Sequence, residues 1–194
     1  GKVATSDCDG PAGVNNFITG TYGTPYPTEV LMAQTWNTDL LYDLGLAMGQ
    51  EYADVNNYGV YGPAMNTHRS AFAGRNFEYY SEDGVLAGKL AAAQVNAMAT
   101  KGTYNYIKHF ALNDQETNRC AFLLTYSNEQ AIREIYLKPF ELCIKNFDGT
   151  QIAVMSSFNW IGTVPACANE DTLTTILRNE WGFQGMVITD YDGS

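Results

Sequence analysis

The chain has 194 residues, 45% of them apolar, which is enough to bury the core of one globular domain and incompatible with a disordered tail. Only 16% are charged, and 21 acidic against 11 basic side chains leave a net charge of −10 at pH 7, which repels a phosphate backbone and an anionic lipid surface alike. The longest apolar runs, residues 152–155 and 186–188, fall far short of the ~20 residues of a membrane-spanning helix, so neither a nucleic-acid nor a membrane partner is expected.

Along the chain, short apolar runs alternate with longer amphipathic ones. A first strand over 2–6 leads into Asp7-Cys8-Asp9-Gly10, and a helix follows over 38–52. A second strand over 58–63 leads into Asn66-Thr67-His68-Arg69. Ser81 then marks a helix start ahead of Val85, Leu86, Leu90, Ala93 and Met98, with Gly102 as its stop. In the acidic run from Glu78 to Asp83 before it, carboxylates favour a helix's positive end, and Glu78 is placed to support Arg75. A third strand over 104–110 carries Lys108 and His109 and runs on to Asn113 and Asp114. Ser127 and Gln130 have capping-box spacing before an apolar face of Ile132, Ile135, Tyr136 and Leu137. The fourth strand, 151–157, precedes Asn159. A helix capped by Asn169 carries Leu173, Ile176 and Leu177 to Gly182, and a fifth strand over 186–189 ends at Asp190-Tyr191-Asp192.

Repeated βα units predict right-handed crossovers onto a parallel sheet, whose strand ends bring the polar clusters to one rim. No phosphate-binding Gly-rich turn opens a helix after the first strand, which argues against a nucleotide fold. The fold class expected is therefore α/β, a (β/α)8 TIM-like barrel. Five units are visible, whereas a complete barrel takes about 250 residues, so the barrel is expected to be incomplete or collapsed in this chain.

Four strings carry a resemblance to a known family: Gly62-Pro63-Ala64-Met65-Asn66; Gly74-Arg75-Asn76-Phe77-Glu78-Tyr79-Tyr80-Ser81-Glu82-Asp83; Lys108-His109-Phe110-Ala111-Leu112-Asn113-Asp114-Gln115-Glu116; and Val187-Ile188-Thr189-Asp190-Tyr191. In this order they resemble glycoside hydrolase family 3, in its β-glucosidase branch. The resemblance implies that residues 1–194 are most of a single N-terminal catalytic barrel domain, without the α/β sandwich domain that follows it in the family. It implies a retaining exo-glycosidase that removes terminal non-reducing β-D-glucosyl residues through a glycosyl-aspartate intermediate. Asp190 would be the nucleophile, and the acid/base would be a glutamate outside this chain, on the missing domain or a complementing chain. Asp9, Arg75, Lys108, His109 and Arg119 would bind the terminal sugar of a β-glucoside or gluco-oligosaccharide, with Met155 and Tyr191 as walls. The family often places a tyrosine beside the nucleophile where this chain has Phe158, so Arg119 or a water would have to supply that contact.

The chemistry agrees with those roles. A rigid strand-end carboxylate can stabilise an oxocarbenium-like state, and fixed cations both bind hydroxyls and keep the carboxylate ionised. The string after Lys108-His109-Phe110 differs from that of the N-acetylglucosaminidase branch. Asp9, able to bond O4 and O6, favours a hexose, with a β-xylosidase as one alternative and a non-catalytic sugar-binding fragment, active only when assembled, as another. Trp36, Trp160 and Trp181 offer faces for a sugar ring but suit core packing better. His68 reads as structural, bonded with Arg69. Asp7-x-Asp9-Gly10 and Asp190-x-Asp192-Gly193 resemble the start of a calcium loop, but the twelfth position of the first is Ile18 and the second runs out of chain; no metal or cofactor is expected. The four cysteines are too scattered for a disulfide scaffold and read as ordinary buried thiols. No Asn-x-Ser/Thr acceptor is present, which favours a cytoplasmic, bacterial setting over a secreted one.

Overall fold

The computed structural model describes residues 6–191. Five strands form its parallel sheet: β1 (Ser6–Asp9), β4 (Asn57–Tyr61), β5 (Tyr104–Phe110), β7 (Ile152–Ser156) and β10 (Val187–Ile188). They lie side by side in chain order, as strands of a β/α barrel do, and a hairpin of β2 (Asn15–Asn16) and β3 (Thr21–Tyr22) adds antiparallel to β1. Cys8 faces Val60, Val60 faces Asn105, Asn105 faces Ile152, and Val154 faces Val187. Among the described residues β10 pairs only with β7, so the sheet stays open and no barrel closes. A second small sheet joins β6 (Leu124–Thr125), β8 (Trp160–Ile161) and β9 (Val164–Pro165).

Helices cover one face. A short α1 (Glu29–Ala33) precedes α2 (Thr38–Asp54), whose first N–H groups, of Asp39 and Leu40, donate to the Asn37 side chain. α3 (Gly84–Ala99) is capped by Asp83, which accepts from Val85 and Leu86, rather than by Ser81; the Ser81 hydroxyl instead accepts the Asp83 N–H. Ser127 gives way in the same manner to Asn128, which caps α4 (Glu129–Ala131), while Gln130 bonds Glu134. Beyond it residues 132–136 are wound wider than an α-helix, with the Leu137 N–H donating to the Ile132 carbonyl five residues back, and α5 (Lys138–Lys145) follows. Asn169 does cap the last helix, through the Thr172 N–H, and that helix (Asp171–Glu180) is also wound with five-residue bonds. None of the described helices is long and apolar enough to cross a membrane.

The main core forms where α3 and α5 press on the sheet, with Leu90, Val95, Ile107, Phe110, Phe140, Val154 and Leu177 all buried. Trp181 packs against Phe110 at this core, as a structural tryptophan should. Small residues bring α2 and α3 together: a methyl group added at Gly45 would stand 2.6 Å from the Gln94 carbonyl oxygen. The strand expected over 2–6 lies outside the described residues except for Ser6. β1 instead runs through Asp7 and Asp9, whose two-residue spacing puts both on one face. No disulfide joins the cysteines. Cys8 and Cys143 are buried, but Cys167 is half-buried and Cys120 exposed, which corrects the expectation of four buried thiols.

Candidate active site

The C-terminal strand ends open onto a cavity of about 710 Å³. Asp9, Arg75, Lys108, His109, Arg119, Met155, Asp190 and Tyr191 all line it, contributed by β1, β5 and β7, by the segments after β4 and β5, and by the turn after β10.

Its cationic wall is built around Glu78. Arg75 donates to Glu78 with both Nε (2.6 Å) and an η nitrogen (2.7 Å), and Lys108 Nζ lies 3.1 Å from the same carboxylate. Glu78 is partly buried, a condition that raises a carboxyl pKa, yet the two cations and their hydrogen bonds outweigh burial and hold it below the usual range. Arg75 also donates to His109 Nε2 at 3.2 Å.

His109 is 2% exposed. Burial first, and then Lys108, Arg75 and Arg119, push its pKa far below the ordinary histidine value, so the ring is neutral. With Nε2 accepting from Arg75, the proton sits on Nδ1, which faces Asn66 Oδ1 and the Tyr79 hydroxyl, each at 3.3 Å. Asn66 fixes the backbone as well, accepting the His109 N–H at 2.8 Å and donating to the His109 carbonyl at 2.9 Å. The Lys108–His109 peptide bond is cis.

Asp190 Oδ2 lies 3.7 Å from His109 Nε2 and 3.9 Å from an Arg119 η nitrogen, while Oδ1 accepts the Tyr191 N–H at 2.7 Å. Because His109 is neutral, Arg119 is the nearest positive charge. Oδ2 is buried without a hydrogen-bond partner among the described residues. Burial raises the Asp190 pKa above the usual aspartate value against the pull of the Tyr191 N–H, Arg119, Lys108 and Arg75. Arg119 is held by Glu116 at 3.1 Å and stacks on the Phe158 ring, 4.6 Å from its centroid.

Asp7, on the cavity floor, accepts hydroxyl hydrogen bonds from Tyr104 and from Tyr106. The exposed hairpin residues Phe17 and Ile18 complete the cavity. Sequence reading missed the roles of Asp7, Phe17, Ile18 and Glu116. The alternation of Asp7 with Asp9 was a usable signal for the first, whereas no pattern announced the hairpin. None of the three tryptophans lines the cavity: Trp36 is exposed, and Trp160 packs edge-on to Phe122. His68 bonds the Tyr79 carbonyl at 2.8 Å instead of Arg69, whose guanidinium lies over Tyr136.

Comparison with known proteins gives concordant matches. The family model described as the glycosyl hydrolase family 3 N terminal domain matches residues 5–193. Beta-glucosidase A of Butyrivibrio fibrisolvens is 44% identical over 96% of this chain, and beta-glucosidase B of Emericella nidulans 39% over 99%. Beta-glucosidase 3B from Thermotoga neapolitana, solved with glucose, superposes with a TM-score of 0.88 at 41% identity over 96% of the chain. DesR, a beta-glucosidase from Streptomyces venezuelae also solved with D-glucose, gives 0.91 at 33% over 97%. The chain spans only 22% of the two curated relatives and 26% and 24% of the two solved chains.

Proposed function

The chain belongs to glycosyl hydrolase family 3, and from that premise we propose that it forms most of the barrel domain of a retaining exo-β-glucosidase, with Asp190 as its nucleophile. The observation that carries this reading is the convergence of eight side chains from five successive strand regions on one cavity.

The terminal glucosyl unit enters with its hydroxyls on Asp9, Arg75, Lys108 and the neutral His109, and Met155 and Tyr191 close the walls. Asp190 Oδ2 attacks the anomeric carbon. As the C–O bond to the aglycone breaks, an acid delivers a proton to the leaving oxygen, and a glycosyl-aspartate forms; water then adds, and the same group, now a base, takes up its proton. Hydrogen bonding ties Oδ1 to the Tyr191 N–H and leaves Oδ2 without a partner among the described residues.

None of Glu78, Glu116 and Asp114 is placed to serve as the acid/base. Glu78 is committed to two cations and Glu116 to Arg119. Asp114, pushed up to about 7 by burial, has a suitable pKa but lines a separate cavity with Arg69 and Tyr126 that shares no residue with the site. We assign the acid/base to a glutamate on an α/β sandwich domain or complementing chain, in keeping with relatives several times longer. Proton NMR of the first-formed sugar during aryl β-glucoside hydrolysis by the full-length protein tests the reading: β-glucose is expected, and α-glucose first would overturn it.

A further inference from the structure

Ala64 stands where two active-site segments meet. It forms parallel bridges to Tyr79 on one side and to Lys108 on the other. Around it the Lys108 N–H donates to the Pro63 carbonyl at 3.1 Å, and the Met65 N–H to the Lys108 carbonyl at 2.8 Å. The Ala64 N–H is the odd donor out: it is satisfied by a side chain, Oε1 of Glu29 at 3.0 Å.

Glu29 is the first residue of α1, and α1 packs against the Asn76–Glu78 turn. The side chain is 1% exposed, and its other oxygen, Oε2, is buried with no partner among the described residues. A buried carboxyl costs more than an apolar group of similar size unless its hydrogen bond does something the apolar group cannot. Here that bond serves a residue whose backbone bridges both the segment carrying Glu78 and the segment carrying Lys108.

We propose that Glu29 is a positioning residue for Lys108, acting through the Ala64 backbone to fix the Tyr79 and Lys108 segments so that Lys108 and Glu78 meet beside the sugar. The inference rests on the reading of Lys108 as a sugar contact. Burial pushes the Glu29 carboxyl above the usual range, against the pull of the Ala64 N–H and of the Lys108 and Arg75 charges.

The test uses the full-length protein and the variants Glu29→Gln and Glu29→Leu. KM and kcat are read on an aryl β-glucoside, kcat is normalised to active sites titrated with a fluorinated glucoside, and glucose dissociation constants come from calorimetry. Glutamine keeps an acceptor for the Ala64 N–H, so Glu29→Gln is expected within about twofold of wild type in every constant. Leucine orphans the Ala64 N–H, so Glu29→Leu is expected to raise KM and the glucose dissociation constant about tenfold or more, while normalised kcat stays within about threefold. A wild-type KM in Glu29→Leu, with or without a smaller active fraction, overturns the proposal. So does a loss in Glu29→Gln as large as in Glu29→Leu. Should the leucine variant not fold, Glu29→Asp, one methylene short of Ala64, takes its place with the same expectations and the same refutation. Wild-type protein that binds glucose without turnover refutes the proposed reaction alone, leaving Glu29 to be judged on the dissociation constants; protein that neither binds nor turns over glucosides overturns both.

Discussion

At the scale of single residues, the site works through competition between burial and fixed charge at Asp190. Burial favours the neutral acid, whereas Arg119, Lys108 and Arg75 favour the carboxylate, the form the proposed attack requires. Replacing Arg119 by methionine keeps an apolar stem against Phe158 and removes the nearest charge. The Asp190 pKa then rises further, and the acid limb of kcat/KM moves to higher pH; a limb that stays put or moves down contradicts the assignment. Phe158 provides no hydroxyl toward Asp190, so if Asp190 is the nucleophile as proposed, Arg119, which lies over the Phe158 ring, is the group placed to tune it. Asp9 gives a second residue-scale test. If its carboxylate binds O6 of a hexose, Asp9→Ala costs glucosides about 1.5–3 kcal/mol more in kcat/KM than xylosides, which have no such hydroxyl. Equal losses on matched aryl glycosides would remove the O6 contact.

At the scale of elements, what was legible in the sequence followed from period and punctuation. The strand over 104–110 stands as expected because its Tyr, Ile and Phe residues favour extended backbone and its residues are buried on both faces. Helix starts shifted by one or two residues, from Ser81 to Asp83 and from Ser127 to Asn128, since in each case a carboxylate or amide nearer the helix reaches the free N–H groups. The β2–β3 hairpin and the β6-β8-β9 sheet were not legible: two-residue strands carry no period, and their pairing is set by tertiary contacts. Close approach of α2 and α3 was equally hidden, because a glycine in a helix reads as a weakness until its neighbour is seen. Gly45→Ala gains up to ~1 kcal/mol of helix propensity but drives a methyl group against the Gln94 backbone. With overpacking at about 1–3 kcal/mol, the net expectation is a lower Tm in thermal unfolding; a raised Tm would mean that the helices separate at no cost.

At the scale of the whole molecule, the parallel strands stand in barrel order but do not close among the described residues, and the proposed reading gives the site a nucleophile whose acid partner lies on another domain or chain. The candidate residues were legible in the sequence because most lie at or just past a strand end, and Arg75, Lys108, His109, Asp190 and Tyr191 sit in long family strings; which groups hold them, such as Glu78 bridging Arg75 and Lys108, required three dimensions. The central claim is that Asp190 is the nucleophile in a sugar pocket whose acid lies elsewhere. A 2-deoxy-2-fluoro-β-glucoside with a leaving group that needs no protonation tests it directly: incubation with the 194-residue chain, then peptide mass spectrometry, should show one glucosyl label on Asp190, while the same chain cleaves cellobiose poorly. Label on any other residue, or brisk cellobiose hydrolysis by this chain alone, would contradict it.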